Sequence, residues 1–251
     1  MHGQVERWDK LAAAELDAAV IDPNDLPGRK NRYIARLRNA AILEAVRPLL
    51  SQDDVVLDFG CGNGGISSQL SVTGCWTLGV DISMGLLKRT GERNLGRKSA
   101  FVRYDGRHLP VRAASFKAAV TWVVLNHILD DAELHHLLVQ IRASLVPGGR
   151  FVAIEQVRRR PTVDRTAWQH RRTIEGFIAL FNAAGFRVEE TAIVRYGRLP
   201  MTYAIRYGWL SERHHESVAR WERRIGRWLG VLPWDYCDVR FVLSVDSPAP
   251  P

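Results

Sequence analysis

Three carboxylates, a glycine-rich turn and one histidine are spaced along this chain in a way that suits a single nucleoside-bearing ligand. Asp58 lies in Val55-Val56-Leu57-Asp58-Phe59, an apolar run that reads as a buried strand, and Gly60-Cys61-Gly62-Asn63-Gly64-Gly65 follows at once. Glycines let the backbone turn sharply there and let a ligand approach where a Cβ would collide. Gly60, Gly62 and Gly65 also satisfy the dinucleotide pattern GxGxxG, so spacing alone leaves the ligand open. The charge of Asp58 favours one choice: a carboxylate beside the turn repels a pyrophosphate and suits an ammonium group. S-adenosylmethionine carries both an ammonium and a sulfonium. Asp81 ends the run Thr77-Leu78-Gly79-Val80, roughly twenty residues beyond the turn. An acid there is placed to accept hydrogen bonds from both ribose hydroxyls, with Ile82 against the adenine. That spacing fits NAD equally well. Asp105 ends Phe101-Val102-Arg103-Tyr104 and precedes Gly106, placed to accept from an exocyclic adenine amine.

Methyl transfer from a sulfonium is an in-line displacement, and alignment supplies much of its acceleration. A hydroxyl acceptor also gains from a base that takes its proton in the transition state. His127, in Trp122-Val123-Val124-Leu125-Asn126-His127, is the best placed candidate, and Glu155 is second; His108 and His170 are weaker. Equally, His127 could be a hydrogen-bonded residue shaping the pocket floor. Used as a base, it is expected to titrate near 6.5, the unperturbed value. Asn126 and Trp122 read as shaping residues, with Trp122 counted among the cofactor contacts. Cys61 reads as a small residue of the turn, not a nucleophile.

With these motifs in view, the chain resembles class I S-adenosylmethionine-dependent methyltransferases of the small-molecule or metabolite type. VLDFGCGNGG is similar to the family's first motif, GVDIS to its second-strand acid, YDGRHLP to its third-strand acid, and LVPGGRF to the turn before its fifth strand. The similarity is close over residues 53–155. Lys117 departs from it, standing where many members have a structural Asp. The resemblance implies S-adenosyl-L-methionine as cofactor, no metal, and cofactor contacts at Asp58, Phe59, Gly60, Cys61, Gly62, Asp81, Ile82, Asp105, Gly106 and Trp122. It also implies an α/β, Rossmann-like fold: a seven-stranded, mostly parallel sheet with helices on both faces and an antiparallel last strand.

The alternation of apolar patterns agrees, with strands near 54–59, 76–80, 100–104, 117–124, 150–156 and 186–194, and helices between them. The organisation read from the chain is one domain over 1–251. Residues 1–50 form a helical lid, 51–196 the cofactor-binding core, 197–236 a helical insert and 237–246 the last strand. In the insert, Trp221, Ile225, Trp228, Leu229 and Leu232 fall on one helical face, flanked by arginines. That face suits packing on the body of the fold, a dimer contact, or a membrane interface. Tyr203, Tyr207 and Trp209 suit either an acceptor pocket or ordinary core.

The 251 residues are 46% apolar with a net charge of +8, and no apolar run approaches a membrane span. Three scattered cysteines indicate neither disulfides nor zinc, which fits a reducing cytoplasm. The basic balance suits an anionic or lipid-linked small-molecule acceptor, with peripheral contact at the inner membrane face as one option. The absence of an Asn/Asp-Pro-Pro-aromatic motif after the fourth strand, or of a cysteine there, argues against base methylation. The reading is O-methylation of a small-molecule or glycan-type acceptor, the glycan option being what a loose resemblance of Gly28-Arg29-Lys30-Asn31-Arg32-Tyr33 and the late basic helix to enzymes of surface-polysaccharide pathways implies. The alternatives are an RNA methyltransferase acting on ribose or another non-C5 position, and a catalytically silent cofactor-binding scaffold.

Overall fold

The computed structural model describes residues 2–13, 17, 20–25, 27–93, 96, 98–197, 200–228 and 236–246; for residues 2, 200, 223 and 226–228 only the backbone is described. Its centre is a seven-stranded sheet in the order β3-β2-β1-β4-β5-β9-β8. The strands are β1 (Val55–Phe59), β2 (Trp76–Asp81), β3 (Ser99–Arg103), β4 (Phe116–Trp122), β5 (Leu145–Val157), β8 (Arg187–Tyr196) and β9 (Cys237–Ser244). Strands β1 to β5 pair in parallel, and β9 runs antiparallel to both β5 and β8. The expected fold class is therefore the observed one. Strand β5 starts earlier than the apolar pattern suggested, because Leu145 already pairs with Phe116 before the ladder shifts register.

The parallel strands are apolar on both faces, since helices cover both. One face sends Val56, Val120, Val152 and Ile154 onto Ile42 and Val46 of α2 (Arg29–Val46) and Leu70 of α3 (Ser67–Ser71). The other sends Leu57, Phe151 and Phe241 onto α5 (Asp131–Ser144) and α6 (Ile174–Ala183), through Leu134, Leu138, Phe177 and Phe181. Side-chain caps mark helix starts. Asp130 accepts from Ala132 N and Glu133 N, Thr173 from Gly176 N, and Ser83 from Leu86 N at the start of α4 (Met84–Lys88). These caps satisfy donors that the first turn of a helix leaves free.

Gly79 in β2 shows how tightly the cofactor side is packed. A Cβ there would lie 2.6 Å from Phe101 Cδ1 and 2.8 Å from Cys61 Sγ. Gly79→Ala is expected to destabilise the fold by about 1–3 kcal/mol. Urea unfolding checks this: the midpoint should fall with an unchanged m value, and an unmoved midpoint would contradict the packing.

Three further elements shape the edges. Helix α1 (His2–Leu11) lies over the carboxyl ends of the strands. A hairpin that the apolar pattern did not signal, β6 (Thr162–Asp164) with β7 (Gln169–Arg171), follows β5. The insert holds α7 (Pro200–Arg206) and α8 (His215–Trp228), joined to α2 through Tyr33, Ile34, Ile205, Val218 and Ala219. Of the aromatic stripe on α8, the described side chains are not its buried face: Trp221 is exposed and Ile225 half-buried. Val218, Ala219, His215 and Glu222 are buried while Trp221 is half exposed, because Tyr33 donates from its hydroxyl to Glu222 Oε2 at 2.9 Å. Leu229, Leu232 and the Trp228 side chain lie outside the described residues.

Candidate functional site

A cavity of about 950 Å³ opens at the carboxyl ends of β1, β2, β4 and β5, where open α/β sheets bind ligands. The glycine turn forms one wall. Gly60 N and Cys61 N both donate to Val80 O, at 2.8 and 3.1 Å, which fastens the turn to the end of β2. Gly60 has φ of +68°, and the Val124 side chain occupies the place its Cβ would take. Asp81 closes the turn: Oδ2 accepts from Gly62 N at 2.8 Å and Oδ1 from Ser83 N at 2.8 Å. Ile82 N is a further backbone donor to this carboxylate, which has about four acceptor sites in all. Asp58 is buried behind the turn, where one oxygen accepts from Ser67 Oγ at 2.6 Å and Oδ1 has no partner. Burial pushes both carboxyls up to about 6, against the hydrogen bonds that favour their ionised forms.

The N-terminal helices form the roof. Arg38 of α2 is buried, with its guanidinium 4.8 Å over the Trp122 ring and Nη2 3.2 Å from the position a Gly65 Cβ would take. Burial draws it down to about 10. Arg93 bridges Asn63 Oδ1 at 3.0 Å and Asp17 at 2.8 Å. Helix α1 is pinned at three places. Asp9 Oδ1 accepts from Ser83 Oγ at 2.5 Å and Gly85 N at 2.9 Å, Gln4 donates to His127 O at 3.0 Å, and Arg7 donates to Thr166 O at 3.3 Å.

The far end of the cavity is built on β4, β5, β8, β9 and the hairpin. His127 is buried, its ring edge-on to Trp8 at 5.0 Å. Its Nδ1 bonds Trp168 O at 2.7 Å, so Nδ1 carries the proton and Nε2 keeps its lone pair. Burial lowers its pKa to about 4, which corrects the expectation of a group titrating near 6.5. Val123 and Trp168, both lining the cavity, hold φ of 51° and 49°. This region is left-handed and disfavoured for β-branched and bulky residues, and such strain clusters at functional sites. Gln156, Asp238 and Arg195 sit side by side across β5, β9 and β8. Arg195 Nη1 meets Asp238 Oδ2 at 2.9 Å, both groups buried, while Asp238 Oδ1 has no partner.

Phe59, Gly60, Cys61, Gly62, Asp81, Ile82, Gly106, Trp122 and His127 thus share one cavity. Three expected residues do not line it. Asp58 braces the turn from behind. Asp105 is exposed and folds onto its own loop, accepting from Arg107 N and His108 N at 2.7 Å each, and these donors pull it down to about 2. Gly106, Arg107 and His108 line the wall in its place. Glu155 is wholly buried and accepts from Val124 N, Leu125 N and Asn126 N at 3.0, 2.9 and 3.2 Å. Burial raises it to about 8, but its geometry is that of a brace for the 124–126 loop, not of a base facing substrate. Sequence reasoning missed Arg38, Trp168, Arg195 and Asp238. Arg38 alone carried a signal: it stands four residues from both Ile34 and Ile42, on the stripe of α2 that faces inward.

Residues 56–149 match the family model described as "Methyltransferase domain". A ribosomal protein L11 methyltransferase of Thermus thermophilus is 29% identical over 200 residues, covering 76% of this chain and 68% of that protein. A demethylmenaquinone methyltransferase of Corynebacterium kroppenstedtii is 33% identical over 100 residues, or 40% and 41% of the two chains. An eEF1A lysine and N-terminal methyltransferase of Mus musculus is 28% identical over 122 residues, covering 45% of this chain and 18% of that one. The match to the last two therefore spans less than half of their lengths. Among solved structures, the [4+2]-cyclase SpnF superposes with a TM-score of 0.64 at 20% identity, over 85% of this chain and 82% of that one. Geranyl diphosphate methyltransferase in complex with SAM gives 0.61 at 16% identity, over 86% and 90%. At such identities these two show likeness of fold.

Proposed function

Taking as premise that this chain belongs, in its central domain, to the class I S-adenosylmethionine-dependent methyltransferases, we propose that it methylates a small hydroxylated acceptor. One observation carries the reading: a single cavity joins the glycine turn and Asp81 at one end to His127, Gln156, Arg195 and Asp238 at the other.

The residues present fit the cofactor. Asp81 has acceptor capacity left for a ribose hydroxyl beside its backbone donors, Ile82 offers an apolar wall, and the buried Arg38 guanidinium suits a methionine carboxylate. The partnerless oxygen of Asp58 lies behind the turn and supplies negative potential to that end. When bound, the cofactor supplies an electrophilic methyl on a sulfonium. His127 Nε2 is the base that accepts the acceptor's hydroxyl proton, while Trp168 O holds the ring by its Nδ1–H. The Arg195–Asp238 pair offers donors and an open carboxylate oxygen to the acceptor's remaining hydroxyls. Helix α1, pinned through Asp9 and Gln4, excludes water. Glu155 keeps the 124–126 loop in register and does not move protons.

The test is a methyl-release assay with labelled cofactor against hydroxylated, amine and thiol acceptors. Turnover on hydroxylated acceptors alone supports the reading; preference for amines would overturn the O-directed part. A second reading, a silent or differently reactive fold, is favoured by SpnF, a cyclase by name on a similar fold. Saturable cofactor binding with no methyl release from any acceptor would support it.

A pH prediction follows from the two raised carboxyls. Folded-state values near 6, above the ordinary value of 3.8 for an aspartate, mean their contribution to stability is fully present below 3.8 and is lost as pH rises through 6. Cofactor binding needs the ionised forms and has the opposite trend. Affinity should fall by about tenfold for each pH unit below 6 that a single required carboxylate is protonated. The shift in melting temperature caused by S-adenosylhomocysteine should accordingly be larger at pH 7.5 than at pH ~5. An equal shift at both would contradict the assignment.

A further inference from the structure

We propose that Tyr203, Tyr207 and Trp209, with Arg29 and Arg206 beside them and the exposed Arg213 four residues beyond Trp209, form a docking surface for an anionic lipid membrane. The three rings are 50%, 61% and 78% exposed, although α7 has an inward face, carried by Thr202 and Ile205, that packs on Tyr33 and Ile34. Tyr203 and Tyr207 stand one helical turn apart on the outer face, and the Tyr207 and Trp209 rings lean together at 5.8 Å. Rings with an apolar body and a polar tip are favoured at the boundary between headgroups and acyl chains.

The charge around the rings matches an anionic surface. Arg29 packs its guanidinium over Gly208, 2.8 Å from the position a Cβ would take, and Arg213 is exposed. Arg206 donates to Asn24 O at 2.6 Å. The neighbouring acid Glu212 is already engaged by Arg32 at 3.1 Å and Arg36 at 2.5 Å. No helix among the described residues is long and apolar enough to cross a membrane, so the contact is peripheral. Arg206 also lies 3.9 Å from Asp22, whose carboxylate pairs with Lys30 at 2.6 Å in the cavity wall. The surface therefore adjoins the cavity. A membrane is favoured over RNA because the Tyr207 and Trp209 rings lean on one another, which takes up π-face that a stacking base would need. The proposal stands apart from methyl transfer, since binding is read without cofactor or turnover.

Co-sedimentation of the full chain with vesicles of equal parts phosphatidylglycerol and phosphatidylcholine tests it. Binding is expected at low salt, with release at high salt and little binding to phosphatidylcholine alone. Tyr207→Ser with Trp209→Ser should lower the bound fraction more than tenfold. Arg213→Glu should lower the partition constant by more than about tenfold, and Arg213→Lys should restore it. Unchanged circular dichroism and cofactor affinity show that these exposed substitutions leave the fold intact. No sedimentation at low salt, equal binding to neutral vesicles, or insensitivity to the aromatic pair would overturn the proposal. So would displacement from vesicles by single-stranded RNA binding to the same residues.

Discussion

Asp81→Ala is expected to weaken S-adenosylmethionine binding by about 1.5–3 kcal/mol, the range for hydrogen bonds to a charged group, or roughly 10- to 150-fold. The structure shows why one side chain should matter so much. Its two oxygens already hold Gly62 N and Ser83 N at 2.8 Å each, so alanine removes the proposed ribose acceptor and unfastens the turn together. Equilibrium dialysis with labelled cofactor measures the loss. Asp81→Asn separates the two effects, because its amide oxygen can keep one of the backbone donors while the charge is gone. An analogue lacking both ribose hydroxyls should lose affinity against the natural chain and little further against the alanine variant. Undiminished binding in Asp81→Ala would remove the residue from the ribose role.

The second large effect is at His127. Its replacement by alanine should lower turnover on a hydroxyl acceptor by roughly 10²–10⁴-fold while cofactor affinity survives. Because burial holds the group near 4, turnover measured at saturating cofactor, where the Asp58 and Asp81 carboxyls no longer limit binding, should show no rising limb near pH 6.5. The loss in the variant should then be uniform across neutral and alkaline pH. Added imidazole should recover part of the rate, since the substitution leaves a ring-sized space in the cavity wall. A limb near 6.5 that vanishes in the variant would show that His127 is hydrated during turnover. Full activity in the variant would remove it as the base. For stability the sign is clear: a histidine depressed from 6.5 contributes fully above 6.5 and loses that contribution as pH falls through about 4.

The parts of the fold that follow a local rule were legible in the sequence. Strands β1 and β2 announce themselves because apolar runs lead to Asp58 and Asp81, and the glycine turn between β1 and α3 marks a nucleotide-type site while leaving its ligand to the charge of Asp58. Helix α5 is bounded by a visible cap at Asp130. What the sequence hid depends on tertiary partners. The β6–β7 hairpin is short and polar, so no period of two marks it, yet Trp168 in its turn fixes the His127 ring. Glu155 looked like a candidate base because it ends a strand; only the three backbone donors from the 124–126 loop reveal it as a brace. Asp105 looked like an adenine contact for the same reason, and its loop turns the carboxylate outward. In α8 the aromatic period left open whether Trp221 faces the body of the fold, a second copy or a membrane. The buried Tyr33–Glu222 hydrogen bond turns the helix so that a polar residue faces in.

The central claim is that the cavity between the glycine turn and the β4–α5 loop is built for S-adenosylmethionine. Calorimetric titration at pH 7.5 with S-adenosylmethionine, S-adenosylhomocysteine and NAD tests it most directly. The account predicts saturable one-to-one binding of the first two in mutual competition, no heat from NAD, and loss of the signal in Gly60→Val, where a side chain must displace Val124. Saturable heat from NAD with none from S-adenosylmethionine would contradict it.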